Sequence, residues 1–140
     1  MTPDAIDSLE RSLALRLPAP YRDTMGSYPF GPDSSAAELW LLDDPQRLLQ
    51  LNRARADVWP REFFALGTDG GELTYLLNTA TPPFPVLAFN LESGKLEPHA
   101  PSFPVFLKLL RDELGIIEAD ERTAAEAFRN RKWWQFWIRP

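Results

Sequence analysis

The stretch Phe63–Asn78, FFALGTDGGELTYLLN, decides the fold of this 140-residue chain. Two apolar runs with alternating and aromatic side chains flank the short turn Asp69-Gly70-Gly71-Glu72. The Asp-Gly and Gly-Gly pairs supply the positive φ that a tight reversing turn requires. The stretch therefore predicts a β-hairpin with strands near 63–67 and 72–78. Segments with helical patterns lie on both sides of it, so the sequence predicts an α+β fold.

Helices and one strand are predicted before the hairpin. Thr2 and Pro3 supply a hydroxyl cap and a proline at the first helical position, and an apolar stripe follows them. The short apolar run Glu38–Leu42 is flanked by turn residues, which favours a strand. The predicted elements are a helix from residue 3, a short helix over 21–25, a loop over 26–37, a strand over 38–42 and a helix over 45–56.

After the hairpin the sequence predicts two further strands and a strong helix. The strands are expected over 86–90 and at 96–97, on either side of the turn Glu92-Ser93-Gly94-Lys95. Ser102 caps the helix, which Gly115 ends, and residues 119–129 have helical propensity. We therefore expect one domain over 1–140, with an antiparallel sheet of about four to six strands flanked by N-terminal and C-terminal helices.

Composition excludes several classes of function. Hydrophobic residues make up 44% of the chain, which argues against disorder. The absence of cysteine excludes disulfides, thiolate metal sites and a cysteine nucleophile. The N-terminus has no apolar signal region, and no apolar run approaches the ~20 residues of a membrane span. We expect a cytoplasmic protein without a membrane segment.

The charge of the chain is uneven. The 15 basic and 20 acidic residues give −5, and all acidic residues lie between Asp4 and Glu126. Four basic residues lie in the last twelve positions, so residues 1–128 carry −9. An acidic body disfavours binding of nucleic acid through phosphates and suits a basic protein partner. The alternative is that this charge only keeps the protein soluble.

The order of motifs resembles the SMI1/KNR4, or SUKH, superfamily over roughly residues 5–114. The residues that carry the resemblance are Leu17-Pro18-Ala19-Pro20-Tyr21, Phe64-Ala65-Leu66-Gly67 with Asp69-Gly70-Gly71-Glu72, and Ser102-Phe103 with Phe106-Leu107. It implies a compact α+β domain with helices around an antiparallel sheet. Many bacterial members resemble immunity proteins that bind and neutralise a polymorphic toxin, whereas fungal relatives are regulatory interaction proteins. The resemblance implies no catalytic residues.

Acidic residues and tryptophans are the candidate contacts with a partner. Asp69 and Glu72 can serve the turn, contact a partner or act as an acid–base pair, although an exposed turn seldom separates two pKa values as such a pair needs. Asp43 and Asp44 can cap a helix or belong to a binding surface. The candidate partner-binding residues are Asp33, Glu38, Trp40, Asp43, Asp44, Trp59, Asp69 and Glu72.

Other chemical sites are not indicated. His99 is the only histidine and is predicted to be a surface loop residue, so no metal site is expected. The turn has neither the lysine nor the spacing of a phosphate-binding loop, and no cofactor is expected.

The C-terminal segment 129–140 holds three of the five tryptophans among basic residues. Its rings can pack on the domain as a final strand, form a protein interface that includes a homodimer, or stack on single-stranded nucleic acid. For the whole chain, the first hypothesis is a toxin-neutralising immunity protein that is not an enzyme. The alternatives are a regulatory scaffold of the SMI1/KNR4 type and a small carboxylate hydrolase.

Overall fold

The computed structural model describes residues 1–32, 34–54 and 57–113. The chain divides into two compact units, residues 1–107 and 108–140, and the fold below is that of the first. Within the second unit, residues 108–113 are described and are helical. The expectation of one domain over 1–140 stays a prediction, because most of the second unit lies outside the described residues.

Three α-helices precede the sheet, as predicted. They are α1 (Pro3–Leu13), α2 (Ala19–Gly26) and α3 (Pro45–Ala54). The Thr2 hydroxyl accepts the Ala5 N–H at 3.2 Å, which confirms the predicted cap of α1. The predicted continuation of α3 to residue 56 lies outside the described residues.

An ion-pair cluster joins α1 to α2. The Arg22 guanidinium contacts both Glu10 and Asp7, and the other oxygen of Glu10 accepts the Leu17 N–H at 2.6 Å. The Asp7 hydrogen bond and the two carboxylates raise the pKa of Arg22. The cluster fixes the chain at the Leu17–Tyr21 motif, where α1 ends and α2 begins.

The sheet has four antiparallel strands in the described part of the chain, in the order β1-β2-β3-β4. They are β1 (Phe63–Thr68), β2 (Leu73–Asn78), β3 (Val86–Asn90) and β4 (Leu96–Ala100). The α+β class, the hairpin and the expected number of strands are thus confirmed. His99 is exposed, as predicted, but it lies on β4 rather than in a loop.

Both faces of the sheet carry a core. On one face, Trp59 packs with Ala65, Leu76 and Phe89. On the other face, Tyr21 of α2 contacts Phe64 and Phe103, and a further row of rings continues from there. The alternation of apolar residues along β2 supplies both faces, because successive side chains of a strand point to opposite sides.

The predicted strand over 38–42 is wrong. Residues Ala36–Trp40 form a π-helix, in which the Leu41 N–H donates to the Ala36 carbonyl at 2.8 Å. Short apolar runs do not distinguish a buried strand from a buried helix, and the buried Ala36 and Ala37 are small enough for a helix against the core. The segment then approaches β1, where the Leu42 N–H donates to the Leu66 carbonyl at 3.0 Å.

The outer edge of β1 is closed by a side chain from α3. The buried Asn52 accepts the Ala65 N–H at 2.8 Å and donates to the Ala65 carbonyl at 3.1 Å. It also donates to the Leu48 carbonyl of its own helix at 2.9 Å. Asn52 therefore takes the place that a fifth strand would occupy at this position.

Candidate functional site

The turn between β1 and β2 organises one end of the sheet. One carboxylate oxygen of Asp69 accepts the Gly71 N–H at 2.8 Å and the Leu73 N–H at 3.1 Å. Gly70 has φ +83°, whereas Gly71 has no positive φ, so only one glycine adopts the left-handed conformation. The predicted turn role of Asp69 is confirmed, and Glu72 beside it is exposed.

The π-helix lies directly against this turn. A Cβ atom at Gly70 would be 3.3 Å from a methyl carbon of Leu39. A Cβ atom at Gly67 would overlap the Leu39 carbonyl oxygen and lie 2.5 Å from the Trp40 carbonyl oxygen. The lack of a side chain at Gly67 thus brings the exposed Glu38 to the same end of the sheet as Asp69 and Glu72.

The turn between β3 and β4 lies next to the first turn. The Leu91 N–H donates to the Glu72 carbonyl at 2.8 Å. Asn90 shapes this second turn by accepting the Glu92 and Ser93 N–H groups at 2.9 and 3.0 Å, and Glu92 is exposed. We call Glu38, Asp69, Glu72 and Glu92 the acidic end of the sheet.

Trp40 extends this surface with an aromatic ring. Its half-buried indole stacks on Tyr75, with ring centroids 5.8 Å apart and an interplanar angle of 14°. His99 contacts the same Tyr75 ring at 4.8 Å, and Phe106 contacts both Tyr75 and His99. Phe106 lies on the helix that begins at residue 103, after β4. Rings from the π-helix, from two strands and from this helix therefore form one continuous row.

Asp43 and Asp44 lie at the start of α3. Asp44 accepts the Gln46 N–H at 2.9 Å, which confirms its predicted helix-capping role. Burial, followed by the negative charge of Asp43, raises the pKa of Tyr28, whose hydroxyl donates to the Leu41 carbonyl. Among the described residues, no hydrogen bond or ion pair connects Asp43 or Asp44 with the acidic end.

Of the remaining two candidates, one is buried and the other cannot be placed. Trp59 is only 7% exposed, and its ring belongs to the core cluster with Phe89. Asp33 lies outside the described residues. Of the eight residues predicted from the sequence, the structure therefore brings together Glu38, Trp40, Asp69 and Glu72.

Sequence reasoning missed Glu92 as a member of this group. The Glu92-Ser93-Gly94-Lys95 turn was recognisable, and Gly94 has the positive φ of such a turn, at +71°. Its position beside Glu72 depends on the register of β2 with β3, in which Leu73 is opposite Asn90. No local pattern in the sequence reports that register.

An open groove of about 330 Å³ lies beside the acidic end. It is formed by the π-helix, α3 and the end of β1, and its lining residues are Glu38, Leu39, Leu42, Arg47, Gln50, Leu51 and Thr68. The Arg47 guanidinium donates to the Glu38 backbone carbonyl at 2.6 Å. The groove thus has an apolar floor and a polar rim.

The arrangement gives little support to chemistry at the turn. One Asp69 oxygen is engaged by two backbone N–H groups, which favours a structural carboxylate over one that transfers protons. In the ranges 1–32, 34–54 and 57–113, no group of three or more acidic or histidine side chains is placed to hold a metal ion. No helix in these ranges is both long and apolar enough to cross a membrane.

Comparison with known proteins gives one match. A family model described as the SMI1 / KNR4 family (SUKH-1) matches residues 1–109. No curated protein and no solved structure matches the chain. The matched range contains α1 to β4 and covers more than half of the chain, including every motif that carried the resemblance. The chain therefore belongs to the SMI1/KNR4 family (SUKH-1).

Proposed function

We propose that this protein is an immunity protein that binds a cognate toxin and neutralises it by protein–protein contact, without chemistry of its own. The observation that carries the proposal is the family match over residues 1–109. Many bacterial members of this family resemble immunity proteins, and a binding role needs no catalytic group.

The state of the carboxylates supports a binding role. Asp44 and Asp69 accept hydrogen bonds from their own backbone segments, as structural residues do. Glu38 and Glu72 are exposed and have no ion-pair partner within the described residues. Exposed carboxylates of this kind can meet a basic protein, where opposite charges accelerate encounter and exclude wrong partners.

The proposed contact residues follow from their placement. Glu38, Trp40, Asp69 and Glu72 form the central set, because they lie at one end of the sheet. The pair Asp43 and Asp44, together with Asp33, stays a prediction from the sequence. We leave Trp59 out, because a ring that is 7% exposed offers a partner little area.

The proposal is tested with the proteins encoded directly beside this gene, since an immunity gene lies next to the gene for its toxin. Expression of the toxic neighbour alone should stop growth, and co-expression of this protein should restore it. The purified pair should form a stoichiometric complex by calorimetry. If no neighbouring product is toxic or binds, and the protein instead co-purifies reproducibly with a housekeeping complex, the regulatory-scaffold alternative replaces this proposal.

A homodimer through residues 129–140 stays a separate prediction, because that segment lies outside the described residues. Sedimentation of the full chain and of a variant with alanine at Trp133, Trp134 and Trp137 measures it. We expect the aromatic variant to sediment as a monomer if these rings form the interface.

A further inference from the structure

We propose that the groove between the π-helix, α3 and β1 receives an arginine or lysine side chain from a basic protein partner. The inference rests on the proposed binding function and adds to it a specific location and the chemistry of the group that docks. Its occupant is a basic segment of a partner protein, argued from the shape and charge of this surface.

The floor of the groove fits the aliphatic part of such a side chain. Leu39, Leu42 and Leu51 supply apolar surface along this groove of about 330 Å³. Arginine and lysine bury their methylene stems along apolar surface while the charged head stays at a polar rim. A purely apolar side chain would contact this floor but would form no hydrogen bond with the polar groups of the rim.

The rim supplies acceptors for the charged head. The exposed Glu38 carboxylate has no hydrogen bond or ion pair with the described residues, and Gln50 adds an amide oxygen. The Thr68 hydroxyl already accepts the Gly70 N–H at 3.1 Å, so it has one lone pair left for a guest. The Arg47 guanidinium is held on the Glu38 backbone carbonyl rather than on its carboxylate. The carboxylate can therefore accept hydrogen bonds from a guest guanidinium or ammonium group.

The surroundings make the preference for a cation stronger. The other members of the acidic end, Asp69, Glu72 and Glu92, lie around the adjoining turns, and Leu39 connects the groove to Gly70 of the first turn. Arg47 and Lys95 offset only part of this charge. With four carboxylates and two basic side chains, this surface has an excess of negative charge. It therefore attracts a basic segment and repels the phosphates of a nucleic acid.

The first test uses a defined probe, an acetylated and amidated tetra-arginine peptide, with the full-length protein at low salt. We expect amide shift changes in NMR to concentrate at residues 38–42, 47–51 and 68–72. Glu38→Gln should lower the affinity for the peptide about threefold to tenfold. Glu62→Gln is the matched control, since Glu62 is also exposed but lies at the opposite end of the hairpin, where its carbonyl accepts the Thr79 N–H.

A second pair of variants tests the groove rather than the charge. Gln50→Trp should fill the groove and weaken binding of the peptide. Gln46 lies on the same exposed side of α3 but does not line the groove, so Gln46→Trp should leave the affinity for the peptide unchanged. Circular dichroism checks that both variants fold. Unchanged affinity in Glu38→Gln or in Gln50→Trp, or shifts centred elsewhere, would overturn the docking site.

The neighbouring toxin separates this inference from the proposed function. If the toxin binds the protein and Gln50→Trp leaves its affinity unchanged, the function stands and the docking site is wrong. If no neighbour binds but the peptide occupies the groove with the expected variant pattern, the cation site stands and the immunity function is wrong. Tighter binding of a single-stranded oligonucleotide than of the peptide would also overturn the site.

Discussion

Gly67 shows at the scale of one residue how the site is positioned. Two carbonyl groups of the π-helix approach its Cα so closely that a methyl group there would overlap the Leu39 carbonyl. Backbone atoms cannot rotate away as the end of a side chain can, so any larger residue must push the π-helix off β1. The position of Glu38 and Trp40 therefore depends on Gly67, a glycine that is itself buried.

We expect Gly67→Ala to destabilise the protein by about 2–3 kcal/mol, the cost of overpacking a buried site. The free energy of unfolding in urea measures it. The matched control is Gly26→Ala, because a Cβ atom at Gly26 would meet nothing within 4 Å. Equal stability of the two variants would show that the π-helix moves freely away from β1.

Tyr21 and Tyr28 form a second contrast between single residues. The Tyr21 side chain is fully buried between Phe64 and Phe103, and its hydroxyl has no hydrogen-bond partner among the described residues. The Tyr28 hydroxyl donates to the Leu41 carbonyl. Burial raises the pKa of both phenols above the usual value of about 10.

The two tyrosines predict opposite effects of removing a hydroxyl. Tyr21→Phe should leave stability at neutral pH unchanged or raise it by up to about 1 kcal/mol, because it removes an unsatisfied buried group. Tyr28→Phe should cost about 1 kcal/mol, because the Leu41 carbonyl loses its donor. Urea unfolding at pH 7 compares them, and a clear loss in Tyr21→Phe would reveal a partner for that hydroxyl.

The raised pKa values also predict the dependence of stability on pH. Above about pH 10 the unfolded state loses phenolic protons that the folded state still retains, so the unfolded state is favoured as pH rises. The contribution of these two phenols to the free energy of unfolding is fully present below about pH 10 and declines above it. The urea midpoint of the wild-type protein should fall between pH 10 and 11.5, and that of Tyr21→Phe should fall less. An equal fall in the wild type and in Tyr21→Phe would contradict the assignment to Tyr21.

At the scale of elements, one side chain joins α3 to the sheet. Asn52 satisfies both backbone groups of Ala65, so its removal leaves a buried N–H and a buried carbonyl without partners. We expect Asn52→Ala to cost about 2–4 kcal/mol and to accelerate hydrogen exchange at the Ala65 amide. Asn78→Ala is the control, because among the described residues its side-chain oxygen accepts hydrogen bonds only from the exposed Ala80 and Thr81 amides. It should cost about 1 kcal/mol or less.

The sequence predicts elements best where a local signal specifies them. Thr2, Asp44 and Ser102 cap helices as their position before an apolar run indicates, and Asp69 holds its turn. The predicted strand over 38–42 is wrong, because an apolar run of five residues carries no period long enough to exclude a helix. The conformation of this segment depends on Gly67, a tertiary contact about thirty positions away.

The candidate site shows the same division. Seven of its eight predicted residues lie in the described part of the chain, and the turn residues among them were recognisable as a group. The addition of Glu92 required the register of β2 with β3, and the burial of Trp59 required the packing of Phe89. Sequence charge thus indicates the kind of partner, whereas the fold determines which charges share a surface.

At the scale of the whole molecule, the formal charge of −5 predicts that the rate of association with a basic partner depends on salt. If the toxin is basic, its association rate constant should fall about tenfold between 50 and 500 mM salt, because screening shortens the reach of the attraction. The dissociation rate should change much less. Stopped-flow mixing measures both, and an association rate independent of salt would exclude charge steering.

The two edges of the sheet also differ from an ordinary open sheet. On β1 the Asn52 amide occupies the backbone groups of Ala65, and on β4 Pro98 has no N–H to offer. Edge strands with intact rows of backbone groups are templates on which further chains polymerise. In the part of the sheet that the structure describes, neither edge presents an uninterrupted row, so we expect concentrated solutions of the folded protein to resist growth into cross-β fibrils.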